Sequence, residues 1–445
     1  MKANPVVVVG GGAGGMMAAG RAAESGASVM LLEKTDGPGA KLRLTGNNRC
    51  NITNTKPLDQ FVEMFGPNGR FVYGAFRTFF REDLISLLSR YGVEVMVEEG
   101  GRVFSASGNA SDVVDALERY VLNNGAKLQS RSPVERIVAT DGLVSSVFSG
   151  RRIIPASAVV LATGGASYPG TGSTGDGYRL AAELGHTIVP QRPALVPLVV
   201  KQRTITEGMQ GVSLRGVRLS AFRCQASDID TSLVIRREYG RGMGVGKPPR
   251  DLIESHRGDV MVAHFGLSGP APLLISLAVV DALQDGPVSV AIDLFPDEQQ
   301  ESLARRLQQE FDTFGKRMFR NILEKMLPHR IVAQVAELTG VPPERPANQI
   351  SAVERARLQR VLKSFSFDVQ GPLSMDTAIV TAGGVALDEI DPRTMESRIV
   401  QGLFFAGEVM DIDADTGGYN LQAAFSTGYV AGENAALRYK KISGP

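Results

Sequence analysis

The opening segment PVVVVGGGAGGMMAAGRAAESGASVMLLEK (residues 5–34) constrains the fold more than any other part of the chain. A β-branched run is followed by a glycine-rich turn, an apolar stretch at helical spacing and a second apolar run. This order predicts a strand, a helix and a strand that form a βαβ unit. Gly10, Gly12 and Gly15 match GxGxxG between the first strand and the helix. The pattern predicts a tight turn, a close backbone approach to a pyrophosphate and close helix–strand packing.

Glu33 ends the second predicted strand, roughly twenty residues after the glycines, where a carboxylate accepts hydrogen bonds from ribose hydroxyls. A carboxylate at this position repels a 2′-phosphate and disfavours NADP in this turn. FAD and NAD both remain compatible with the pattern. The alternative is a glycine-rich turn that binds no ligand.

The C-terminal part of the chain favours FAD over NAD. GLFFAGEVMD (402–411) predicts a strand that ends at Ala406, Gly407 and Glu408, and the carboxylate of Glu408 could hold a ribityl hydroxyl. TGGYNLQAAFSTG (416–428) predicts a glycine pair at the start of a helix, whose N-terminus would stabilise negative charge on a reduced flavin. The alternative is a last strand and helix that only complete a sheet.

The chain has 445 residues, which is more than one typical domain needs. Near Pro190 the alternation of strands and helices gives way to β-rich segments, and a charged helical stretch follows before the alternation returns. We therefore predict an α/β protein with a discontinuous FAD-binding domain of residues 1–190 and 368–445. An inserted β-rich substrate domain would span 191–295, and a helical subdomain 296–367.

Seven segments together resemble the bacterial NAD(P)/FAD-dependent oxidoreductases of the BaiN/RdsA family: VVGGGAGGMMAA, KLRLTGNNRCNITN, GRVFSASGNASDVVDAL, ATGGASYPGTGSTGDGY, HFGLSGP, TAGGV and GLFFAGEVMDIDADTGGYNLQAAFSTGYVAG. The resemblance covers nearly the whole chain. It implies a glutathione-reductase-like, Rossmann-like FAD-binding domain, an inserted β-rich domain, a small helical subdomain and a cytoplasmic enzyme. Proteins similar to this one have been linked to bile-acid metabolism, amine oxidation and dihydrouridine formation in ribosomal RNA, so the substrate stays open.

The candidate cofactor-binding residues come from these glycine turns and strand ends. They are Gly10, Gly12, Ala13, Gly14, Gly15, Glu33, Lys34, Lys41, Gly46, Val134, Thr163, Gly164, Gly407, Glu408, Gly418, Asn420, Leu421 and Gln422.

Two features depart from the family pattern. The family usually has glycine before the arginine of its RCN motif, where this chain has Asn48. Asparagine tolerates a left-handed backbone, so the turn is expected to survive. The stretch 226–257 is also longer than the family pattern implies.

The sequence has no second GxGxxG after a predicted strand. NAD(P)H, as a transient electron donor, would therefore bind without a Rossmann domain of its own. This donor is implied by the resemblance alone.

Cys50, Asn51 and His264 are the candidate catalytic residues. Lys41, Arg43 and Arg49 are close to Cys50 in sequence and would favour a thiolate. Cys50 could then donate a proton opposite hydride delivery, while Asn51 orients a substrate carbonyl. Alternatively, Cys50 packs under the flavin and Asn51 holds loop backbone. His264 could donate a hydrogen bond or a proton, or be a structural residue.

Net charge and cysteine content limit the classes of binding partner and the compartment that the sequence predicts. The formal net charge of +1 predicts no global attraction to nucleic acid or membrane, and two cysteines, Cys50 and Cys224, favour reduced thiols in the cytoplasm. No membrane-spanning run, signal peptide or metal-ligand cluster is expected. Three basic segments of the inserted region could bind RNA phosphates or could be solvated surface. They are RREYGRGMGVGKPPR (236–250), GKRMFRNILEK and ERARLQRVLK.

The sequence and the resemblance predict an FAD-dependent oxidoreductase whose flavin, reduced by NAD(P)H, passes hydride from N5 to a conjugated C=C or imine-like substrate at the domain interface. One alternative is a ribosomal RNA dihydrouridine synthase, which would reduce the C5=C6 bond of uridine. A small-amine oxidase and a non-catalytic flavin-bound RNA-binding protein are the others. The oligomeric state is left open.

Overall fold

The structure, a computed structural model, describes residues 4–230, 238–241 and 251–443. The chain forms two compact units, one of residues 1–192 and 378–445 and one of residues 193–377. The basic segment 236–250 and the long stretch 226–257 fall partly outside the described residues. Among the described residues of these segments, Tyr239 pairs with Ser255 through backbone hydrogen bonds and packs against barrel residues.

The first unit begins with an alternation of strands and helices. Its strands up to residue 194 are β1 (Val6–Val9), β2 (Val29–Leu32), β3 (Thr53–Asn54), β4 (Val95–Val97), β5 (Arg102–Ser105), β6 (Lys127–Gln129), β7 (Arg136–Thr140), β8 (Leu143–Ser149), β9 (Arg152–Pro155), β10 (Ala158–Leu161) and β11 (Ile188–Ala194). Its helices are α1 (Ala13–Glu24), α2 (Ala40–Asn48), α3 (Leu58–Glu63), α4 (Gly69–Thr78), α5 (Arg81–Arg90), α6 (Ala110–Asn123) and α7 (Asp176–Glu183).

The second unit contains a barrel and a group of helices. Its elements are β12 (Leu198–Val200), α8 (Arg203–Gly208), β13 (Ser213–Phe222), β14 (Leu252–Ala263), β15 (Gly266–Ser268), α9 (Pro270–Ala282), β16 (Ser289–Asp293), α10 (Gln300–Thr313), α11 (Phe319–Leu323), α12 (His329–Thr339), α13 (Ala352–Lys363) and β17 (Phe365–Pro372). The chain then returns to the first unit with β18 (Val380–Val385), β19 (Leu403–Phe405) and α14 (Tyr419–Ser443).

A parallel sheet in the order β19-β10-β1-β2-β6 is the centre of the first unit. The β-branched residues of β1 are fully or almost fully buried, as expected for a strand covered on both faces. The carboxyl ends of β1, β2, β10 and β19 meet at one edge of this sheet. Ligands of open α/β sheets bind at that edge, so the fold brings the predicted cofactor residues there.

Small residues bring α14 against α1. A Cβ atom on Gly428 would overlap the carbonyl oxygen of Gly14, and one on Gly432 would overlap that of Ala18. The two backbones approach too closely for any side chain at these positions. This packing fixes the long final helix, and with it the glycine turn before it, on the nucleotide-binding helix.

The second unit is built on a closed barrel in the order β12-β15-β14-β13-β16-β17. The sequence-based division placed residue 368 onward in the FAD-binding domain, whereas residues 368–377 belong to the inserted unit. The reason is that β17 pairs with β12 and β16 and closes the barrel. The division also separated 191–295 from 296–367, but one hydrophobic core contains barrel residues such as Leu219 and helix residues such as Phe311.

Several predicted elements are present. The hairpin-like pair becomes antiparallel β4 and β5, and the two strands of a small sheet become β7 and β8. Among the described residues, no helix has the length and apolar character that a membrane crossing requires.

Candidate functional site

The glycine turn has the shape that a pyrophosphate needs. Gly10 adopts φ 100°, and a Cβ on Gly15 would overlap the carbonyl oxygen of Gly10, so both positions require glycine. A Cβ on Gly12 would meet nothing within 4 Å. Gly12 also precedes Ala13, the first residue of α1, and no side chain caps this helix. The N–H groups of the first turn therefore face open space beside the helix N-terminus.

Gly14 has a packing role as well. A Cβ on Gly14 would lie 3.2 Å from the carbonyl oxygen of Ala424 in α14. Gly14 therefore lies against the returning C-terminal segment.

Glu33 organises the same loop from the end of β2. It is buried, and its Oε2 accepts a hydrogen bond of 2.7 Å from the N–H of Gly11. Its Oε1 accepts from the N–H and the hydroxyl of Thr35 at 2.8 and 2.7 Å. The backbone oxygen of Glu33 accepts from the N–H of Ser132, two residues before the buried Val134. The carboxylate thus holds the glycine loop.

Lys34, which was predicted to contact the cofactor, is bound to another loop. Its Nζ lies 2.6 Å from Asp176 Oδ2 and donates to the hydroxyl of Thr174. This ion pair joins the end of β2 to the start of α7.

Lys41 and Glu408, predicted separately as cofactor residues, lie together. Lys41 Nζ is 2.8 Å from Glu408 Oε2 and donates to Ser167 Oγ at 2.8 Å. Glu408 Oε1 accepts from the N–H of Thr381 at 2.9 Å, and Thr381 Oγ1 accepts from the N–H of Ser167 at 3.1 Å. The four residues form one network on four segments of the first unit, with both charged side chains mostly buried.

The residues after β10 and β19 complete this edge. Gly164 and Gly407 adopt φ 73°, and the N–H of Gly407 donates to Thr427 Oγ1 at 3.0 Å. Thr163 Oγ1 is buried and has no hydrogen-bond partner. An unpaired buried hydroxyl is costly, so this atom marks a place where a ligand group could bond.

The glycine pair before α14 is held by the loop that contains Cys50. Gly417 and Gly418 adopt φ 136° and 96°. With its amide oriented to suit its neighbours, Asn51 accepts from the N–H of Gly418 at 3.1 Å and donates to the oxygen of Thr53 at 3.2 Å. Asn51 therefore holds loop backbone, which was the alternative to a substrate contact.

The first residues of α14 differ in what they contact. The amide of Asn420 accepts from the N–H of Ala414 at 2.9 Å and donates to the oxygen of the same residue at 2.8 Å, so it shapes the preceding loop. Leu421 packs against the core. Gln422 is fully buried, and its Nε2 donates to Ser426 Oγ at 3.0 Å while its Oε1 has no partner.

Cys50 is fully buried in the hydrophobic core of the first unit. Burial raises the pKa of its thiol to about 12, and a hydrogen bond with Thr45 opposes this only in part. The expectation that nearby cations favour a thiolate is wrong. Each of these cations is paired with a carboxylate elsewhere: Lys41 with Glu408, Arg43 with Asp115 and Arg49 with Glu98.

The turn before Cys50 has an unusual backbone. Gly46, Asn47, Asn48 and Cys50 all adopt a left-handed φ, between 56° and 65°. Asn48, at 65°, confirms that asparagine supports the turn where the family usually has glycine. Gly46 is exposed, and a Cβ there would lie 2.9 Å from the backbone nitrogen of Asn51.

His264 belongs to the other unit. It is an exposed residue of the turn between β14 and β15, and its backbone oxygen accepts from Thr206 Oγ1 at 3.1 Å. Its catalytic role stays a prediction.

The first unit therefore fits an FAD molecule. The open space at Gly12, the uncapped start of α1 and the unpartnered Thr163 hydroxyl are what a phosphate-containing, polyhydroxylated group would use. Sequence reasoning gave no role to Ser167, Thr381 or Asp176, although all three lie in the motifs SYPGTGSTGDGY and TAGGV that carried the family resemblance. Those motifs were the available signal.

Comparison with known sequences identifies the family. A sequence model of the HI0933-like protein Rossmann domain matches residues 4–434. The chain belongs to the HI0933-like family. It is 29% identical over 418 residues to the 3-dehydro-bile acid delta(4,6)-reductase of Clostridium scindens, with 94% of each chain covered. It is 30% identical over 416 residues to the ribosomal RNA dihydrouridine synthase of Escherichia coli, with 93% of each covered.

A solved structure supports the fold. The 3-ketosteroid delta1-dehydrogenase of Sterolibacterium denitrificans superimposes with a TM-score of 0.51 at 13% identity, covering 98% of this chain and 100% of that one. The HI0933-like chain thus has a Rossmann-type FAD-binding domain with an inserted barrel and helices.

Proposed function

We propose that this protein is an FAD-dependent reductase that adds hydride and a proton across a C=C bond conjugated to a carbonyl group. The observation that carries the proposal is the agreement between two relatives of nearly full length. One is named a delta(4,6)-reductase and the other a dihydrouridine synthase, and both names describe saturation of a C=C bond. FAD, when bound, supplies the hydride.

The chain's own residues would hold the cofactor at the carboxyl edge of the parallel sheet. The backbone of Gly12 and Ala13 suits the pyrophosphate, and Glu33 suits a ribose. Thr163 and the Lys41–Glu408 pair offer polar atoms next to the ends of β10 and β19. The N-terminus of α14 carries partial positive charge that stabilises an anionic ring edge.

The proposed reduction also needs a proton donor. The Cys50 thiol is protonated at neutral pH, as an acid must be, but it is fully buried and its pKa is far above the range of an efficient general acid. We expect packing to be its role, and Cys50→Ala to retain turnover within about threefold while losing about 1–2 kcal/mol of stability.

This expectation is checked by single-turnover kinetics on Cys50→Ala, with Cys224→Ala as the control. A loss of turnover of a hundredfold in Cys50→Ala, with FAD content and melting temperature retained, would assign the acid role to Cys50. His264→Ala, in the exposed turn of the other unit, is measured beside it, and a pH-dependent loss there would assign the acid role to His264.

We propose NAD(P)H as the electron donor and the cytoplasm as the compartment. Two free cysteines suit a reducing compartment. Anaerobic mixing of the FAD-loaded protein with NADH or NADPH, followed at the flavin absorbance band, tests the donor. Bleaching by either nucleotide supports it, and no bleaching by both removes it while leaving the reductase proposal to be tested with dithionite-reduced protein.

Ribosomal RNA is the second candidate substrate, because the identity to the dihydrouridine synthase, 30%, is as high as the identity to the bile-acid enzyme, 29%. Dihydrouridine in ribosomal RNA from a strain that lacks this gene, measured by mass spectrometry with and without a complementing copy, tests it. Loss that the copy restores would establish RNA as the substrate. An unchanged level favours a small conjugated ketone.

A further inference from the structure

Two of the basic segments noted in the sequence converge on one cavity in the second unit. The end of α10 and the turn after it, residues 311–317, form one wall, and residues 347–348 with Arg355 of α13 form the other. The cavity encloses about 640 Å³ and opens to solvent. We call it the helical cleft. It brings Lys316 and Arg317 of the first segment together with Arg355 of the second, although 38 residues (355 minus 317) separate them in sequence.

The cleft carries excess positive charge. Three cations, Lys316, Arg317 and Arg355, line it together with one carboxylate, Asp312. Lys316 and Arg317 are exposed, and among the residues that the structure describes neither pairs with a carboxylate. Arg355 donates to the backbone oxygen of Ile350 at 2.6 Å, which leaves its charge without a carboxylate counterion.

The turn that carries Lys316 and Arg317 is ordered before any ligand arrives. The Arg317 guanidinium lies 4.8 Å from the centre of the Phe314 ring, and Lys325 Nζ lies 3.2 Å from the same centre. The turn itself is fixed by backbone hydrogen bonds from Asn348 to Gly315 and from Ala347 to Arg317, of 3.0 and 2.9 Å. An ordered turn loses less conformational entropy when it binds a ligand.

We propose that the helical cleft binds the sugar–phosphate backbone of a single-stranded RNA. Phosphates would lie against Lys316 and Arg355, and the free face of the Arg317 guanidinium offers a plane on which a base can stack. The proposal rests on ribosomal RNA as the candidate substrate, and it adds the surface that holds this RNA. A single phosphate would not need three cations spread along two walls.

The test uses the FAD-loaded full chain and a fluorescein-labelled, 20-nucleotide single-stranded RNA of mixed sequence. Fluorescence anisotropy at 50 and 200 mM KCl gives the affinity and its salt dependence. The variant Lys316→Ala/Arg317→Ala is expected to bind at least tenfold more weakly at 50 mM KCl. Its plot of log K against log salt should flatten by about 0.7, because the phosphate contact of Lys316 is lost.

The matched control is Arg305→Ala/Arg360→Ala, which removes two exposed cations of α10 and α13 that do not line the cleft. It should bind within about twofold of the unchanged protein, and Lys316→Arg should also retain binding. Equal losses in the two double variants, no loss in the cleft variant, or no RNA binding by the unchanged protein would overturn the proposal. Equal competition by polyglutamate and by unlabelled RNA at matched charge would also overturn it, in favour of an acidic protein partner.

Anaerobic flavin reduction is measured on the same samples to separate this proposal from the reductase function. Reduction retained together with unchanged RNA binding in the cleft variant overturns only the RNA surface. Absence of reduction together with the expected loss of RNA binding supports the surface and counts against the reductase.

Discussion

Three glycines near the start of the chain show how differently one residue type can act. A Cβ would overlap a carbonyl oxygen at Gly15, but it would meet nothing within 4 Å at Gly12 or at Gly37. Gly12 has φ −77° and ψ −170°, which any residue adopts. Only the open space at Gly12 lies at the start of α1, where a pyrophosphate is expected.

Gly12→Ala is therefore expected to fold but to lose FAD. Its free energy of unfolding without FAD should stay within about 0.5 kcal/mol of the value for the unchanged protein. FAD affinity should fall at least tenfold, because the methyl group fills the space needed by the phosphates. Flavin absorbance after gel filtration and urea unfolding of the FAD-free protein measure the two effects. Gly37→Ala is the control and should keep both properties, whereas full FAD retention by Gly12→Ala would refute the assigned phosphate position.

The sequence predicted the residues whose role is local. The glycines and Glu33 follow a short pattern with fixed spacing, and the structure places them on one loop. The pair of Lys41 and Glu408 could not be predicted, because 367 residues separate its members. The burial of Cys50 likewise depends on residues far away in the chain, so the sequence left both a proton donor and a packed thiol open at this position.

Among the elements, the end of α2 is a turn made by consecutive left-handed residues. At Asn48, with φ 65°, a β-branched side chain is strained but glycine is not. Asn48→Val is expected to lose about 1–2 kcal/mol of stability. The stability of Asn48→Gly is expected to stay within about 0.5 kcal/mol of that of the unchanged protein. Urea unfolding of both variants checks this, and a valine variant as stable as the glycine variant would contradict it.

The segment that follows α7 is tied to the segment before β19 through His186, a residue to which the sequence gave no role. His186 is buried, with Nδ1 at 3.1 Å from Glu389 Oε2 and Nε2 at 2.8 Å from Ser397 Oγ. Burial lowers the pKa of His186, although Glu389 opposes the shift. The folded protein therefore holds the ring neutral.

Because folding lowers the pKa of His186, the unfolded chain binds this proton at a higher pH than the folded chain does as the pH falls. The contribution of neutral His186 to the free energy of unfolding is complete above its unfolded pKa of about 6.5. This contribution decreases as the pH falls below that value. The difference in unfolding free energy between the unchanged protein and His186→Asn should therefore shrink from pH 7.5 to pH 5.5. Urea unfolding at four pH values measures it, with His329→Asn, at an exposed position, as the control. A difference that grows at low pH would show that the folded ring is protonated.

At the scale of the whole molecule, the sequence pattern predicted the alternation of strands and helices and the inserted β-rich and helical stretches. It could not show that one core joins the barrel to the helices, since the contacts of β17 link residues far apart in sequence. The sequence places residues 368–377 with the first domain because they lie shortly before the TAGGV motif. Strand pairing, which depends on the closed barrel, assigns them to the insert.

The two cores share no residue, because each is made only of residues of its own unit. With its own barrel and core, an excised fragment of residues 193–377 is long enough to fold alone. We expect it to unfold cooperatively and to bind no FAD. In the intact chain, FAD at a hundred times its dissociation constant should stabilise the first unit by about 2.7 kcal/mol and leave the fragment's melting temperature unchanged. Circular dichroism melts of fragment and full chain, with and without FAD, measure both. A fragment that melts without cooperativity, or that FAD stabilises, would show that the barrel depends on the nucleotide-binding unit for its fold or contributes to its cofactor site.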